Sequence, residues 1–312
     1  MRPFLLAALV LASPVQAADL LVVSQAAAAL TELAGSTRHS RTLSLARSPA
    51  AVLAAPGGTR AYVSHPELGT VSVVDLEAWR VERELQTGGQ PFGLALAGSD
   101  RLLVTDWSAN TLVVVDLASS EMRRIKVGGA PSAVVTDPDA NLAYTIDRES
   151  DAVSVVDLHS GTVTDTIHVG RAPFAAALTA DGAQLLVANV QSGDLSVVDT
   201  AAREETARIV IGGMPYGVAV DRVSGLVLVS DQEGGDLALI DLAQGSVAAR
   251  IPVGDYSEGV VVLDPGGRAA VANWFSDNVT LVNLQDHTTS RIAVPAGPRM
   301  LAVVPQQAMA AP

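Results

Sequence analysis

Short apolar runs, each closed by a carboxylate or an amide, recur along the chain at a nearly constant interval. These runs end at Asp75, Asp116, Asp157, Asp199, Asp241 and Asn283, so the spacings are 41, 41, 42, 42 and 42 residues. A degenerate copy around Glu32 lies 43 residues before the first of them. Seven units of about 42 residues, each with four strand-like stretches, are typical of a β-propeller.

Each unit repeats the same order of four segments. A turn of the Gly-Gly-x-Pro type precedes an apolar run such as PFGLALA. A second strand such as RAYVSH follows, then the VSVVD run, and finally a more polar stretch such as RVERELQTG. Because only the last segment alternates apolar and charged residues, we expect the first strand at the axis and the fourth at the rim. The sequence therefore predicts an all-β, seven-bladed propeller of four-stranded antiparallel blades.

The two ends of the repeat predict how the ring closes. The segment LLVVSQ, from Leu20 to Gln25, has the pattern of a second strand, and RMLAVV, from Arg299 to Val304, has that of an additional first strand. We expect this C-terminal strand to be the innermost strand of a blade whose other three strands come from the N-terminal segment, because such closure leaves no open sheet edge. Residues 18–312 then form a single propeller domain.

The first 17 residues have the pattern of a secretory signal peptide. Arg2 precedes a nine-residue apolar stretch from Phe4 to Ala12, Pro14 ends that stretch, and Val15-Gln16-Ala17 supplies small residues before a cleavage site. Nine apolar residues are too few for a membrane-spanning helix, which needs about 20. We expect cleavage after Ala17, export to the periplasm or beyond, and no membrane insertion of the mature chain.

Composition and motifs exclude several kinds of function. The chain has 33 acidic and 20 basic residues, a formal net charge of −13 and no cysteine. Phosphate recognition requires clustered Lys and Arg, so we expect no nucleic-acid partner. Without cysteine there is no disulfide, thiolate ligand or thiol nucleophile. Histidine pairs at metal-ligand spacing, a G-x-S-x-G elbow and a glycine-rich phosphate loop are also missing. We expect a monomer without a metal and assign no catalytic residue.

The second strands carry a repeated signature. YVSH, from Tyr62 to His65, is followed at the repeat interval by LVTD, YTID, LVAN, LVSD and AVAN. This pattern resembles the YVTN-type β-propeller repeat over essentially all of residues 18–312. The repeats are also similar to those of the amine-dehydrogenase β-chain-like superfamily and of haem d1-binding propellers. The first of these likenesses implies a scaffold that docks a cofactor-bearing quinoprotein subunit, and the second implies a tetrapyrrole binder.

The candidate functional residues are those that break the repeat on one face of the propeller. The turns that enter first strands and leave second strands lie together around the central channel. Seven of the eleven aromatic residues fall there: Phe92, Trp107, Phe174, Tyr216, Tyr256, Trp274 and Phe275. The polar candidates on the same face are His65, Arg171, Glu258 and Arg299. The rings either plug the channel mouth or line a pocket, and Glu258 and Arg299 occupy equivalent positions in adjacent blades, where they can pair.

These observations favour an exported, non-catalytic binding or scaffold protein. We expect it to engage a partner protein or a small ligand through the aromatic face, without a cofactor. Three alternatives stay open. They are an accessory propeller of periplasmic redox metabolism, a tetrapyrrole binder with His65 as the axial ligand, and a lactonase-like hydrolase. The last would need a divalent metal held by carboxylates and histidine around the channel.

Overall fold

The protein is built almost entirely of β-strands. A computed structural model describes residues 18–35, 40–264 and 266–305, and the predicted signal peptide lies outside these residues. The described residues contain 28 strands in seven four-stranded antiparallel sheets, together with one turn of 3-10 helix, Arg148–Ser150. The seven-bladed, all-β architecture that the sequence predicts is confirmed.

The sheets, blades 1 to 7, have the following strands in order across each sheet. Blade 1 contains β28 (Pro298–Val303), β1 (Leu20–Ser24), β2 (Ala29–Leu33) and β3 (Ser40–Ser44). Blade 2 contains β4 (Val52–Ala54), β5 (Arg60–His65), β6 (Thr70–Asp75) and β7 (Arg80–Gln86). Blade 3 contains β8 (Pro91–Ala97), β9 (Arg101–Asp106), β10 (Thr111–Asp116) and β11 (Met122–Lys126).

The other four blades follow in chain order. Blade 4 contains β12 (Pro131–Asp137), β13 (Leu142–Asp147), β14 (Ala152–Asp157) and β15 (Thr162–His168). Blade 5 contains β16 (Pro173–Leu178), β17 (Gln184–Asn189), β18 (Asp194–Asp199) and β19 (Glu204–Val210). Blade 6 contains β20 (Pro215–Val220), β21 (Val227–Asp231), β22 (Asp236–Asp241) and β23 (Ser246–Pro252). Blade 7 contains β24 (Ser257–Asp264), β25 (Arg268–Asn273), β26 (Asn278–Asn283) and β27 (Thr289–Ala293).

Blade 1 closes the ring by combining the two ends of the described chain. Strand β28 pairs antiparallel with β1, so that Leu20 lies opposite Val303 and Val22 lies opposite Leu301. Further backbone hydrogen bonds extend this pairing at both ends, from the N–H of Gln25 to the carbonyl of Gly297 at 2.8 Å and from the N–H of Val304 to the carbonyl of Asp19 at 2.9 Å. The predicted closure by a C-terminal innermost strand is confirmed.

The radial order of the strands follows from their burial. The first strands of neighbouring blades contact one another in sequence around the ring, which places them at the axis. The fourth strands are mostly exposed, and in β7, β15 and β23 exposed and partly buried positions alternate, with one buried residue near the end. This alternation is what a sheet edge facing solvent requires.

The core is divided into seven apolar clusters, each lying between two neighbouring blades. Between blades 3 and 4, for example, Leu103 and Leu112 pack against Ala143 and Val156. Full burial of one such leucine contributes about 1.5–3 kcal/mol. Stability is therefore distributed around the ring, and every blade depends on both of its neighbours.

Close packing at the axis explains the small residues in the first strands. A Cβ atom on Gly217 would lie 2.4 Å from the carbonyl oxygen of Glu258, and one on Gly93 would lie 2.7 Å from the Cα atom of Ala133. These distances are shorter than non-bonded contacts allow, so the neighbouring backbone leaves no room for a side chain at either glycine.

The aspartates that close the third strands hold the turns that follow them. The Oδ1 atom of Asp157 accepts hydrogen bonds from the backbone N–H groups of His159 at 2.7 Å and Ser160 at 3.0 Å. Asp75 and Asp116 make the same pair of bonds. Among the described residues, no helix has the length and hydropathy needed to cross a membrane.

Candidate functional site

A β-bulge near the start of the first strand positions the central residues of the candidate site. In blade 5, Pro173 pairs with Asn189 and Ala175 with Ala188, so Phe174 has no partner on β17. A bulge changes the direction in which a side chain points, and here the extra residue faces the channel. Six of the seven described blades have this irregularity, at Phe92, Ser132, Phe174, Tyr216, Glu258 and Arg299.

Serine hydroxyls of the preceding blade hold several of the bulged residues in place. Ser64 Oγ donates to the carbonyl of Phe92 at 2.7 Å, and Ser132 Oγ donates to the carbonyl of Phe174 at 2.8 Å. Ser230 Oγ makes the corresponding bond to the carbonyl of Glu258. Because each bond crosses from one blade to the next, the arrangement of the blades fixes where these side chains lie.

The inner aromatic rings close the channel. Phe174 packs against Tyr216 with ring centroids 4.1 Å apart and against Phe92 at 5.8 Å, edge to face. Phe92 in turn contacts Trp107 at 5.4 Å. Phe174 and Tyr216 are each only 6% exposed. These rings therefore act as a plug, which is one of the two roles that the sequence allows.

Above this plug lies a concave site, which we call the cup. Its volume is about 490 Å³, within the range of small-molecule sites. Its aromatic lining consists of Trp107, Phe174, Tyr216, Tyr256, Trp274 and Phe275. At the rim, the rings of Tyr256 and Phe275 lie 4.7 Å apart and are 36% and 68% exposed. The structure thus contains a plug and, above it, an aromatic-lined pocket.

Polar groups form the floor of the cup. Arg299 donates from Nη1 to Gln25 Oε1 and from Nη2 to the hydroxyl of Tyr216, both at 2.7 Å. Its Nε lies 3.3 Å from Oε2 of Glu258, and Gln232 Nε2 donates to Oε1 of the same carboxylate at 2.9 Å. The guanidinium carbon also lies 5.2 Å from the ring centroid of Phe92, a cation–π distance.

Burial changes the acidity of two floor residues. It raises the pKa of Glu258 to about 7, although the positive charge of Arg299 and the hydrogen bond from Gln232 both act to lower it. Burial also raises the pKa of the Tyr216 hydroxyl well above its ordinary value. Although Glu258 Oε2 and Arg299 Nε face each other, neither has a hydrogen-bond partner. The ion pair is therefore close but poorly aligned.

Eight of the eleven candidate residues from the sequence line the cup. Phe92 lies beneath it, in the plug. Arg171 is exposed and does not line the cup: its backbone N–H is held by Ser192 Oγ at 2.9 Å, and its side chain reaches only the carbonyl of Gln191. His65 also lies elsewhere.

His65 occupies a structural position inside blade 2. It is fully buried, with Nδ1 3.1 Å from the carbonyl oxygen of Arg47 and Nε2 2.8 Å from Ser72 Oγ. In blade 5 the equivalent residue is Asn189, whose Nδ2 donates to Ser196 Oγ, again seven positions later. Burial lowers the pKa of His65. Since both ring nitrogens are already hydrogen-bonded, this side chain does not fit the role of an axial ligand to a tetrapyrrole iron.

Three polar lining residues were not in the candidate set: Gln25, Arg148 and Gln232. The sequence did contain a signal for them. Arg148 and Gln232 directly follow their second strands, as Trp107 and Trp274 do, and Gln25 follows β1. Within the described part of the chain, no three histidine, aspartate or glutamate side chains converge as metal ligands would.

Several solved structures have the same fold as this chain. Hydrazine synthase from Kuenenia stuttgartiensis is 20% identical, with a TM-score of 0.79 over 90% of this chain and 99% of that chain. A functionally unknown protein from Desulfotomaculum acetoxidans is 11% identical, with a TM-score of 0.80 over 92% and 98%. The dihydro-haem d1 dehydrogenase NirN, in complex with DHE, is 16% identical, with a TM-score of 0.71 over 96% and 78%. At these identities the likeness shows the fold alone.

Sequence comparison identifies the family. No curated protein sequence matches the chain. The model of the YNCE-like β-propeller family matches residues 99–268, which is more than half of the 312 residues. This match agrees with the propeller signature that the second strands repeat. The chain belongs to the YNCE-like β-propeller family.

Proposed function

We propose that the protein is an exported binding propeller. In this proposal the cup receives a flat, mainly apolar group, presented by a small ligand or by a loop of a partner protein. The observation that carries the proposal is the concentration of six aromatic side chains around one concave site in a chain with only 4% aromatic residues. Export rests on the signal-peptide pattern of residues 1–17.

Closing the channel does not require the outer rings of the cup. Phe92, Phe174 and Tyr216 already fill the channel beneath it. Phe275, by contrast, is 68% exposed, and exposing a phenylalanine of this size costs solvation free energy that a buried position would recover. Exposed aromatic groups around a concave site are typical of binding surfaces.

The floor supplies the polar groups that orient a ligand. Gln25, Gln232, Glu258 and Arg299 all line the cup, while its walls are aromatic. Apolar walls with a few fixed polar groups are the usual composition of a small-molecule site. Because hydrogen bonds between the floor residues hold them in place, binding requires little reorganisation, and this lowers its entropic cost.

The positions of the tryptophans provide a direct test. Trp107 and Trp274 line the cup, whereas Trp79 lies in the turn between β6 and β7, with the Arg41 guanidinium 4.1 Å from its ring centroid. In a Trp79→Phe variant, tryptophan emission reports on the cup alone. We expect p-cresol, indole, benzoate or benzyltrimethylammonium to bind this variant, detected by ligand-observed NMR and, for the probes that do not emit in this range, by a change in emission.

The matched variant is Trp107→Ala/Phe275→Ala, which removes one wall and the rim. We expect it to weaken probe binding at least tenfold, while Trp79→Phe leaves binding unchanged. To test for a protein partner, the Trp107→Ala/Phe275→Ala and Trp79→Phe variants are each used as bait in a periplasmic extract, and the proteins that they retain are compared. Binding of all probes and partners with equal strength to both variants would contradict the proposal, and so would the absence of any binding to the unmodified protein.

A further inference from the structure

The charges in the cup differ in sign from those of the protein as a whole. The chain carries a formal net charge of −13, yet the charged residues that line the cup are two arginines and one glutamate: Arg148, Arg299 and Glu258. Arg148 has an exposed partner outside the cup, Glu149, at 2.8 Å. The Arg299 side chain is 16% exposed, against 25% for Arg148, and its partners are groups that line the cup.

Among the described residues, Arg299 has one negatively charged partner. Its two Nη atoms donate to neutral acceptors, Gln25 and Tyr216. The single counterion is Glu258, 3.3 Å from Nε, and the contact is not aligned as a hydrogen bond. A well-formed pair of arginine and carboxylate is bidentate, with two parallel N–H···O bonds. Arg299 is therefore a partly buried cation with an imperfect counterion.

Glu258 gives up its negative charge at moderate pH. Its side chain is only 4% exposed, and burial raises its pKa to about 7. The groups that face it are Arg299 from β28, Tyr216 from β20, Tyr256 from the turn before β24 and the neutral amide of Gln232. Arginine and tyrosine ordinarily titrate near pH 10 or above. Protonation of Glu258 therefore leaves Arg299 without a counterion.

We propose that the cup binds a flat aromatic carboxylate whose anionic group replaces Glu258 as the counterion of Arg299, with the ring held between the aromatic walls. This inference rests on the proposed binding function and names its ligand class. The incoming carboxylate and the Glu258 carboxylate share one cation, and two like charges at such a site do not both ionise. Binding is therefore accompanied by uptake of one proton from solvent by Glu258.

The coupling predicts the pH dependence of affinity. Above the pKa that Glu258 has in the unliganded protein, binding of each anion requires Glu258 to take up one proton from solvent, so the affinity falls about tenfold per pH unit. Below that pKa Glu258 is already protonated, and the affinity no longer depends on pH. With a pKa of about 7, the association constant for a carboxylate should be about tenfold larger at pH 6 than at pH 8. An uncharged analogue has no such dependence.

Isothermal titration calorimetry tests this with three probes: benzoate, benzyl alcohol and benzyltrimethylammonium. Benzoate is ionised at both pH values, so any change in its affinity reports on the protein. We expect it to bind more tightly than the other two at pH 6 and to lose about tenfold in affinity at pH 8. Titrations at pH 8, where most of Glu258 is ionised in the unliganded protein, in buffers of different ionisation enthalpy should show uptake of about 0.9 proton per benzoate.

The variant Glu258→Gln provides the matched control. Because glutamine stays neutral, we expect its benzoate affinity at pH 6 and pH 8 to agree within twofold, without proton uptake. Arg299→Met should abolish the preference for benzoate over benzyl alcohol. Since Arg299 lies on the ring-closing strand β28, the proton count on the unmodified protein and the Glu258→Gln titration decide the question without this variant.

The outcomes separate this inference from the broader proposal. If benzyl alcohol or benzyltrimethylammonium binds and benzoate does not bind more tightly at pH 6, the ligand class is wrong and the binding function stands. Benzoate binding that is independent of pH in the unmodified protein overturns the exchange of counterions. If none of the three probes binds, and p-cresol and indole do not bind either, both proposals are wrong.

Discussion

Arg299 Nη1 donates a hydrogen bond to Oε1 of Gln25 at 2.7 Å, between residues that are 274 positions apart in the sequence. Arg299 lies on β28 and Gln25 directly follows β1, so this bond spans the point where the ring closes. The same arginine forms the floor of the cup. The candidate site is therefore complete only when the C-terminal strand has docked against β1.

Truncation after Gly297 tests the closure. It removes β28, and with it the pairing to β1 and the buried side chains of Leu301 and Ala302. We expect a loss of at least about 5 kcal/mol in the free energy of unfolding, since loss of a single buried leucine side chain costs about 2–5 kcal/mol. Urea unfolding followed by circular dichroism measures the change.

The matched truncation ends at Pro305 and keeps the whole of β28. We expect its urea midpoint to equal that of the full-length chain. Equal midpoints for the truncation at Gly297 and the full-length chain would contradict the ring closure seen in the structure.

The fold could be predicted because its cause is local and repeated. The six third-strand ends from Asp75 to Asn283 fix the period, and the unpaired first-strand pattern from Arg299 onward fixes the closure. The bulges at Phe174 and Glu258 could not be predicted in this way. They depend on hydroxyl groups of the preceding blade, such as Ser132 and Ser230, and those contacts exist only once the blades are packed.

A double-mutant cycle on Arg299 and Glu258 tests the buried pair. We expect Arg299→Met to lower the free energy of unfolding at pH 8 by about 3–5 kcal/mol, because it leaves a buried carboxylate without its counterion. Adding Glu258→Gln should restore part of this loss. At pH 5, where Glu258 is protonated in the folded protein, the single arginine variant should lose less. Equal losses at both pH values would argue against the pair.

His65→Asn tests the structural role of this histidine. Blade 5 already has asparagine at the equivalent position with the same type of partner, Asn189 with Ser196, so we expect a change of at most about 1 kcal/mol at pH 8. Burial lowers the pKa of His65. The unfolded chain therefore takes up a proton below about pH 6.5 that the native state resists, and native stability falls as the pH decreases.

The variant should lack this component of the acid-side decrease, which urea unfolding at pH 5.5 and pH 8 would show. Visible spectra of both proteins, purified from their native compartment, provide the second readout. An absorption band of the tetrapyrrole type that disappears in His65→Asn would contradict the structural assignment and support an axial-ligand role.

The sequence predicted a site residue correctly only where that residue differs from its equivalents in other blades both in amino-acid type and in the contacts that it makes. Trp107, Trp274 and Phe275 differ from their equivalents and line the cup. His65 differs in type from its equivalents but makes the same kind of hydrogen bond as Asn189. Its difference in sequence therefore wrongly indicated a functional residue. The linear sequence does not show whether a side chain is hydrogen-bonded inside its own blade, as His65 is, or lines the cup, as the other three do.

Processing of the first residues is tested by the mass of the exported protein. We expect the mature chain to begin at Ala18, because Val15 and Ala17 supply the small residues that the cleavage site requires. Replacing Ala17 with leucine should block cleavage, so that the precursor accumulates in the membrane fraction. Intact-mass measurement distinguishes the two forms. A mature chain that retains residues 1–17 in the cytoplasm would contradict both the signal peptide and the proposed export.

Asp147→Asn tests the energetic cost of a buried carboxylate on the same face. Burial raises the pKa of Asp147 to about 6, despite hydrogen bonds from Ser154, Thr145 and the backbone of Gly128. Between pH 4 and pH 6 the native state therefore holds a proton that the unfolded chain has lost, so native stability falls as the pH rises through this window. A shift of this size corresponds to about 3 kcal/mol.

We expect the free energy of unfolding of the Asp147→Asn variant to change less with pH in this window. Its stability relative to the unmodified protein should therefore increase by about 2–3 kcal/mol from pH 4 to pH 7. The control is Asp157→Asn, an exposed turn aspartate whose pKa is lowered by hydrogen bonds from Ser160 and His159. Because its pKa is lowered, its contribution to stability changes mainly below pH 4, so its relative stability should not increase between pH 4 and pH 7. Urea unfolding at pH 4, 5.5 and 7 measures both. Parallel curves for Asp147→Asn and the unmodified protein would show that Asp147 has the same pKa in the folded and unfolded states, which would contradict its raised pKa.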